Sequence, residues 1–445
     1  MIRSWARLGV LAGPAVAAAG CGRPLAHPCA SDVECAVGWS CVADFCQPDG
    51  ADAGADVAAA QGRPDARLEA GSDVGRGSDS DGPPPDRGDA GADADASGSA
   101  DGPSAEAGPP VSPNVMFVTS ATYVPQFGSL AAADEVCNGA AQAAGLPGTY
   151  RAWLSTTSTD AISRLQGARG WVRVDGAPFA DTPEDIAGGR IFTPPLLDEN
   201  GQEHRGGYAA TPVVTGSYAD GRLYPGHNCQ DWTSADPADV SIGEDEGTTE
   251  MWGGGIFGGC QYPMRIYCFG VDRVRSVAPI PVAGRRAFVT EGQFQLGGGL
   301  AAADALCASE AAAAALPPRF KALLATSTSS AAARFSAPSS TIWVRLDGVP
   351  LNAPGVDLFD GVPLAAPLNV TSTLDYLGRW NVLTGGRTPR DTPTVDATCG
   401  DWTDGSASTT NQALVGYAPF SPLWFFVGTP TACSDPGGHL YCLED

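Results

Sequence analysis

The sequence predicts an α+β chain built on two tandem, disulfide-stapled domains of one fold. A frame of four cysteines appears twice, first as Cys137, Cys229, Cys260 and Cys268, then as Cys307, Cys399, Cys433 and Cys442. The first interval is identical, since 229 − 137 and 399 − 307 are both 92. Around that frame each copy repeats the same order of an apolar strand, an alanine-rich helix, further short strands and a long loop. Self-similarity at a fixed spacing is the mark of a repeated structural unit.

The chain opens with the basic head Met1 to Arg7 and the apolar run Leu8 to Ala19, the pattern of a secretory signal over residues 1–20 that is too short for a stable membrane span. The run ends in Ala18-Ala19-Gly20-Cys21, which resembles the lipobox of bacterial lipoproteins, with Ala18 standing where that family prefers leucine. The resemblance implies lipidation at Cys21; an ordinary signal peptide with Cys21 as a thiol is the alternative. Gly22 follows the cysteine where an aspartate would retain the protein at the inner membrane, so the same resemblance implies an outer-membrane location, with the chain exposed at the cell exterior. Twelve further cysteines in groups of four agree with export, because disulfides persist in oxidising compartments.

Residues 21–46 hold the lipid site and Cys29, Cys35, Cys41 and Cys46. Such a segment is too short to bury a core without cross-links, so a two-disulfide knot of open connectivity is expected. Zinc is the competing use of four close cysteines, but no CxxC pair is present. Residues 47–112 contain no aromatic residue and consist mainly of Asp, Ala, Gly, Pro and Ser, the composition of a disordered linker. Fourteen acids against four arginines give this segment −10 of the chain's −24. A random coil of its length spans roughly 45 Å, and self-repulsion extends it further.

The first copy, residues 113–270, begins with a strand at Phe117 to Thr119 and a helix that starts after Ser129, a favourable N-cap, and stops near Gly145. Next come the strand-like Tyr150-Arg-Ala-Trp-Leu-Ser155, a short second helix, and Trp171-Val-Arg-Val-Asp-Gly176 ending in a DG turn. A loop of about fifty residues leads to Asn228-Cys-Gln-Asp-Trp-Thr233; loops of that length are usually functional or disordered. The second copy, residues 286–445, repeats this with Phe288 to Thr290, Leu300 to Leu316, Phe320 to Ala325, Trp343 to Gly348 and Thr398-Cys-Gly-Asp-Trp-Thr403. Residues 271–285, with Pro279, Pro281 and Gly284, are expected to form a linker.

This order of helix with first cysteine, Gly148-Thr-Tyr-Arg-Ala-Trp-Leu-Ser155, long loop, Cys-x-x-Trp and two late cysteines resembles the endostatin domain of certain collagens, a variant of the C-type lectin-like fold. It is also similar to an endostatin-related bacterial domain found in surface lipoproteins. The resemblance covers most of residues 113–270 and, with fewer identities, 286–445. It implies that Cys137 joins Cys268, Cys229 joins Cys260, Cys307 joins Cys442 and Cys399 joins Cys433.

The functional residues of that fold do not carry over. Calcium-dependent lectins use a Glu-Pro-Asn or Gln-Pro-Asp loop and a Trp-Asn-Asp strand, both absent here, and the zinc histidines of endostatin have no match in Pro113 to Tyr123. An acidic run, Asp236, Asp239, Glu244, Asp245, Glu246 and Glu250, offers oxygens suited to calcium, with a solvated acidic loop as the bland alternative. Trp252 and Trp424 sit in Gly-rich or Pro-flanked loops, where an exposed indole would stack on a sugar or an apolar protein patch; core packing is the competing reading. The shared Asp231-Trp232-Thr233 and Asp401-Trp402-Thr403, with Arg173 and Arg345, read as fold residues. His227 near Asp231 suggests a dyad, but no activated serine or cysteine accompanies it.

Residues 113–272 carry nineteen acids and eight bases, and residues 273–445 carry fourteen and eleven, so the copies stand at −11 and −3. Neither has the basic stripe that phosphate backbones require, which argues against a nucleic-acid partner. The expectation is a non-catalytic recognition or adhesion lipoprotein that binds a glycan or protein and needs no cofactor, with a structural envelope role and a hydrolase as the alternatives.

Overall fold

The computed structural model describes residues 39–42, 45–48, 112–206, 212–378, 380–406, 411–434 and 438–445. Cys21, Cys29 and Cys35, the signal segment and nearly all of the acidic tether lie outside them. Strands β1 (Trp39–Val42) and β2 (Phe45–Pro48) form an antiparallel hairpin in which Cys41 and Cys46 are opposite one another in register.

The architecture is mixed α+β, with short strands outnumbering helices. The first half contains β3 (Asn114–Val118), β4 (Tyr150–Ala152), β5 (Trp171–Val172), β6 (Pro178–Ala180), β7 (Pro212–Val214), β8 (Asp239–Glu244), β9 (Ile256–Gly259) and β10 (Arg265–Gly270). They form one sheet in the order β6-β5-β3-β10-β7-β8-β9, and β4 also pairs with β10. The second half supplies β11 (Arg285–Val289), β12 (Phe320–Ala322), β13 (Trp343–Arg345), β14 (Asn381–Leu383), β15 (Gln412–Ala413), β16 (Val415–Tyr417), β17 (Thr431–Ala432) and β18 (His439–Glu444). Its main sheet runs β13-β11-β18-β14-β16, with β12 on β18. That is the order β5-β3-β10-β7-β8 again, and each pair keeps its direction: β10 is antiparallel to β3 and parallel to β7, as β18 is to β11 and β14.

A helix covers each sheet. The helix Leu130–Ala143 starts where Ser129 Oγ accepts a hydrogen bond from the Ala132 amide, relieving one of the unpaired first-turn donors. It buries Ala133, Cys137 and Ala141 against the sheet, and Gly299–Ala313 buries Ala303, Cys307 and Ala311 in the same way. Small residues on that face let each helix lie close to the strands. Asp134 on the first helix accepts from the Ala152 amide and from Arg164 at 2.6 Å, and Asp304 does the same with the Ala322 amide and Arg334 at 2.7 Å. These pairs lock helix to sheet where both partners are largely shielded from water.

Disulfides join Cys137 to Cys268, Cys229 to Cys260, Cys307 to Cys442 and Cys399 to Cys433. The outer bonds pin the helix to the central strand of each sheet, where Cys268 faces Phe117 and Ala152 and Cys442 faces Phe288 and Ala322.

The inner cysteines open a turn of unusual backbone. Cys229, Gln230, Asp231 and Trp232 have φ of 50, 53, 54 and 67°, and Cys399, Gly400, Asp401 and Trp402 have 49, 63, 52 and 70°. Each is one turn of left-handed helix, a conformation costing about 1–2 kcal/mol per non-glycine residue. Three anchors hold it: the disulfide, a buried indole whose Nε1 donates to the Ser155 carbonyl (Trp232) or the Ala325 carbonyl (Trp402), and a carboxylate. Asp231 accepts from the amide and hydroxyl of Thr157, and Asp401 from those of Ser327. Burial opposes ionisation of both aspartates, yet these hydrogen bonds hold them below the usual carboxylate range.

The segment expected to be a linker is bonded along much of its length. The amides of Val271, Arg273, Arg275 and Val277 donate to Thr149, Asn114, Arg169 and Asp181 of the first half, and Val282 donates to Gly348 of the second. Between these ties Ile280 is 85% exposed.

The halves meet through equivalent loops. Gly243 and Gly416 occupy matching positions, each with a tryptophan carbonyl, of Trp252 or Trp424, where a side chain would stand. Four residues on, Gly247 and Phe420 pair with each other as an antiparallel bridge. The flanking hydrogen bonds are reciprocal: Thr248 N donates to Pro419 O at 2.9 Å, and Ser421 N donates to Glu246 O at 3.3 Å. Beside this seam Arg345, whose side chain is fully buried, donates to the Phe192 carbonyl at 2.7 Å and binds Asp347, while Phe192, Val349, Ala366 and Tyr376 pack together.

Candidate functional site

The acidic run does not form one ligand set. Asp236 and Asp239 are exposed at the start of β8, and Asp236 accepts from Ser234 Oγ. Glu244, Asp245 and Glu246 lie at the far end, roughly 17 Å along the strand at its normal rise, and are 1%, 0% and 1% exposed within the seam. Burial, and then the charges of Asp245 and Glu244, push the Tyr267 hydroxyl well above its ordinary value. Among the described residues no group of three or more His, Cys, Asp or Glu is placed to hold a metal ion.

Neither Trp252 nor Trp424 presents its indole to solvent. They are 0% and 1% exposed, packed on Trp153, Phe179 and Tyr267 in one half and on Phe425 and Tyr441 in the other. The glycines after Trp252 lie against the Ser217 and Ala219 backbone instead of opening to solvent, and Gly243 and Gly416 admit the tryptophan carbonyls.

The described histidines are tied down. Arg265 can only donate, so its 3.0 Å contact makes His204 Nδ1 an acceptor and leaves Nε2–H to donate to Asp198 at 2.8 Å. His439 Nδ1 donates to the Thr290 carbonyl, and burial lowers the pKa of that ring. Asp231 is held by Thr157 and Asn228, and His227 turns to another partner, its Nδ1 donating to the Pro225 carbonyl at 2.9 Å.

His227 belongs instead to a group of aromatic rings on the first half. Tyr218 and Tyr224 have centroids 4.3 Å apart, Tyr224 and His227 4.6 Å, His227 and Phe257 4.8 Å, and Tyr224 and Phe257 5.3 Å. Tyr218 is 42% and Phe257 39% exposed, and the other two rings are half-buried. Large aromatic rings normally turn inward, so a contiguous exposed set is the more informative observation.

Rigid elements fix each ring. The Ser241 amide on β8 donates to the His227 carbonyl, and Ser241 faces Phe257 across the pairing with the edge strand β9, so the two side chains flank one strand position. Tyr218 opens a tight turn in which its amide donates to Arg222 O and the Gly221 amide donates back to Tyr218 O. Gly221 has φ 79° and leaves room for Trp153, whose ring would stand 2.7 Å from an added Cβ. The Tyr224 amide donates to Gly216 O. Asp220 and Arg222 form an ion pair of 2.7 Å at the rim.

The second half has no such surface at the matching positions. Counting from Gly385, from the cap Thr398 and from Cys433, the counterparts of Tyr218, His227 and Phe257 are Arg387, Ala397 and Pro430. Arg387 lies over the Phe426 ring at 5.1 Å.

These rings escape a linear reading because they are scattered over residues 218–257, in a loop and on a strand of four residues. A cleft of 580 Å³ elsewhere on the first half, lined by Ile162, Gln166, Ala168, Arg169 and Val274 among others, is shallow. Its Arg169 is paired with Asp181, a residue that also holds the Val277 amide. No helix among the described residues is long and apolar enough to cross a membrane. No protein-family model matches the chain, and no curated protein sequence matches it.

Proposed function

We propose that the chain is a bacterial surface lipoprotein, anchored at Cys21 in the outer membrane, whose two endostatin-related, lectin-like domains recognise an extracellular glycan or protein without catalysis. The observation that carries recognition is the exposed aromatic platform of Tyr218, Tyr224, His227 and Phe257, held on a sheet edge and a tight turn. Exposed rings of this kind contribute contact area at little entropic cost, because a tyrosine has few rotatable bonds to immobilise. The repeated sheet order and disulfide frame support the lectin-like reading, and the bonded states of His204, His227 and His439 favour binding over hydrolysis.

The anchor is tested by palmitate labelling in the native host type, where Cys21→Ala should abolish both the label and membrane fractionation. Recognition is tested by screening the full chain, disulfides intact, on glycan and extracellular-protein arrays with and without a chelator. Chelator-insensitive binding that Tyr218→Ala and Phe257→Ala abolish is the expected result. Silence on both arrays would leave the structural envelope role as the better account.

A further inference from the structure

We infer that the aromatic platform of the first half is a binding site for an uncharged, pyranose-containing saccharide, a reading that rests on the recognition function proposed above. The rings touch one another at 4.3–5.3 Å, so no slot separates them into which a proline or aromatic side chain could insert. What they offer is a faceted apolar patch, Tyr218 tilted 35° on Tyr224 and Tyr224 at 74° and 89° to His227 and Phe257, whose most exposed rings, Tyr218 and Phe257, suit the flat C–H face of a sugar ring one at a time.

The same rings carry polar atoms that can meet sugar hydroxyls. His227 Nδ1 donates to Pro225, which leaves Nε2 as the acceptor of the neutral ring, and Tyr218 and Tyr224 carry hydroxyls that both donate and accept. Asp220 and Arg222 form an ion pair beside Tyr218. The surrounding half stands at −11 by its nineteen acids and eight bases, which repels sulfated, uronic or phosphorylated chains. Charge and shape together select a neutral glycan over a polyanion, and the lack of ring-to-ring gaps selects it over a proline-rich peptide. The second half, with Arg387, Ala397 and Pro430 at the matching positions, is not a second site.

The experiment titrates the full chain by calorimetry with neutral oligosaccharides built from glucose, galactose and N-acetylglucosamine, beside sulfated and uronic counterparts, while the protein array is run in parallel. One neutral ligand per chain is expected, with Tyr218→Ala and Phe257→Ala each weakening binding about tenfold, as loss of one well-placed ring does. Both residues are exposed enough for the variants to fold, which thermal melting checks. Trp380→Ala, at a 44% exposed indole of the second half, should leave affinity unchanged. Binding of charged glycans alone, two ligands per chain, or equal loss in the Trp380 variant would overturn the inference. Platform-dependent binding to a protein and to no sugar would overturn it too, yet leave recognition standing; absence of any binding would remove both.

Discussion

The two halves share a skeleton and differ in what they show to solvent. Strand order, strand direction, both disulfides, the helix-to-sheet carboxylate pairs Asp134–Arg164 and Asp304–Arg334, and the left-handed turns all appear twice. Over that skeleton the first half carries four clustered rings and the second carries Arg387 over Phe426. Where a pattern is repeated, folding physics accounts for it; where the copies part, function is the place to look.

The largest expected effect tests the claim of equal skeletons. Replacing Cys137 and Cys268 by alanine should destabilise the first half by about 4–5 kcal/mol in the chain-entropy picture, and replacing Cys307 and Cys442 should do nearly the same to the second. The sequence separations are 131 and 135, so calorimetric melting should show similar losses. Unequal losses would mean that one half leans on the other for stability.

The next test turns on a difference. Arg345 is buried at the seam with Asp347, whereas the side chain of Asp175, the partner of Arg173, is 43% exposed. Burial opposes ionisation of Asp347, but Arg345 beside it and the Tyr376 hydroxyl hold it below the usual carboxylate range. Arg345→Ala should therefore cost about 3 kcal/mol by leaving a buried carboxylate without its cation, and Arg173→Ala about 1 kcal/mol or less. Urea titration of the two variants measures the gap.

A smaller difference is read by pH. His439 stands where the first half has Arg265, both donating to the carbonyl of a matching threonine, Thr290 or Thr119. Burial holds the His439 pKa below its ordinary 6.5, against the opposing pull of the Thr290 carbonyl. The unfolded chain thus takes up a proton first, so stability is full above pH 6.5 and is lost as pH falls through the lower folded value. His439→Gln should flatten that fall in melts between pH 7 and pH 5.

The smallest effect concerns the left-handed turns. The second has Gly400 where the first has Gln230, at φ 63 and 53°. Glycine bears this conformation without a Cβ clash, so Gln230→Gly should stabilise by about 0.5–1 kcal/mol and Gly400→Ala should destabilise by a similar amount. Paired melts of the two variants give the sign directly.

The skeleton was the legible part of the sequence. Cysteine spacing marked the copies, Ser129 marked a helix start, and a tryptophan beside a cysteine pointed to the core, because each signal is local or recurs at a fixed interval. The seam was not legible, since the residues that pair, Gly247 and Phe420, come from loops with no shared pattern. Trp252 and Trp424 left exposure and core packing both open, because a Gly-rich or Pro-flanked context suits either, and the structure packs both indoles in the core. The platform was missed because its members meet only once β8, β9 and the turn at Gly221 are in place. The acidic run looked like one cluster in sequence, but a strand separates its ends.

The reciprocal seam has one more implication. A twofold contact between separate identical subunits imposes every substitution on both faces at once, so a run such as Glu244-Asp245-Glu246 would confront its own duplicate. Joined in one chain, the two faces are free to diverge: that run stands opposite a face built from Tyr417, Ala418, Pro419 and Phe420. Covalent linkage thus permits a polarised interface that no symmetric pair of these domains would tolerate.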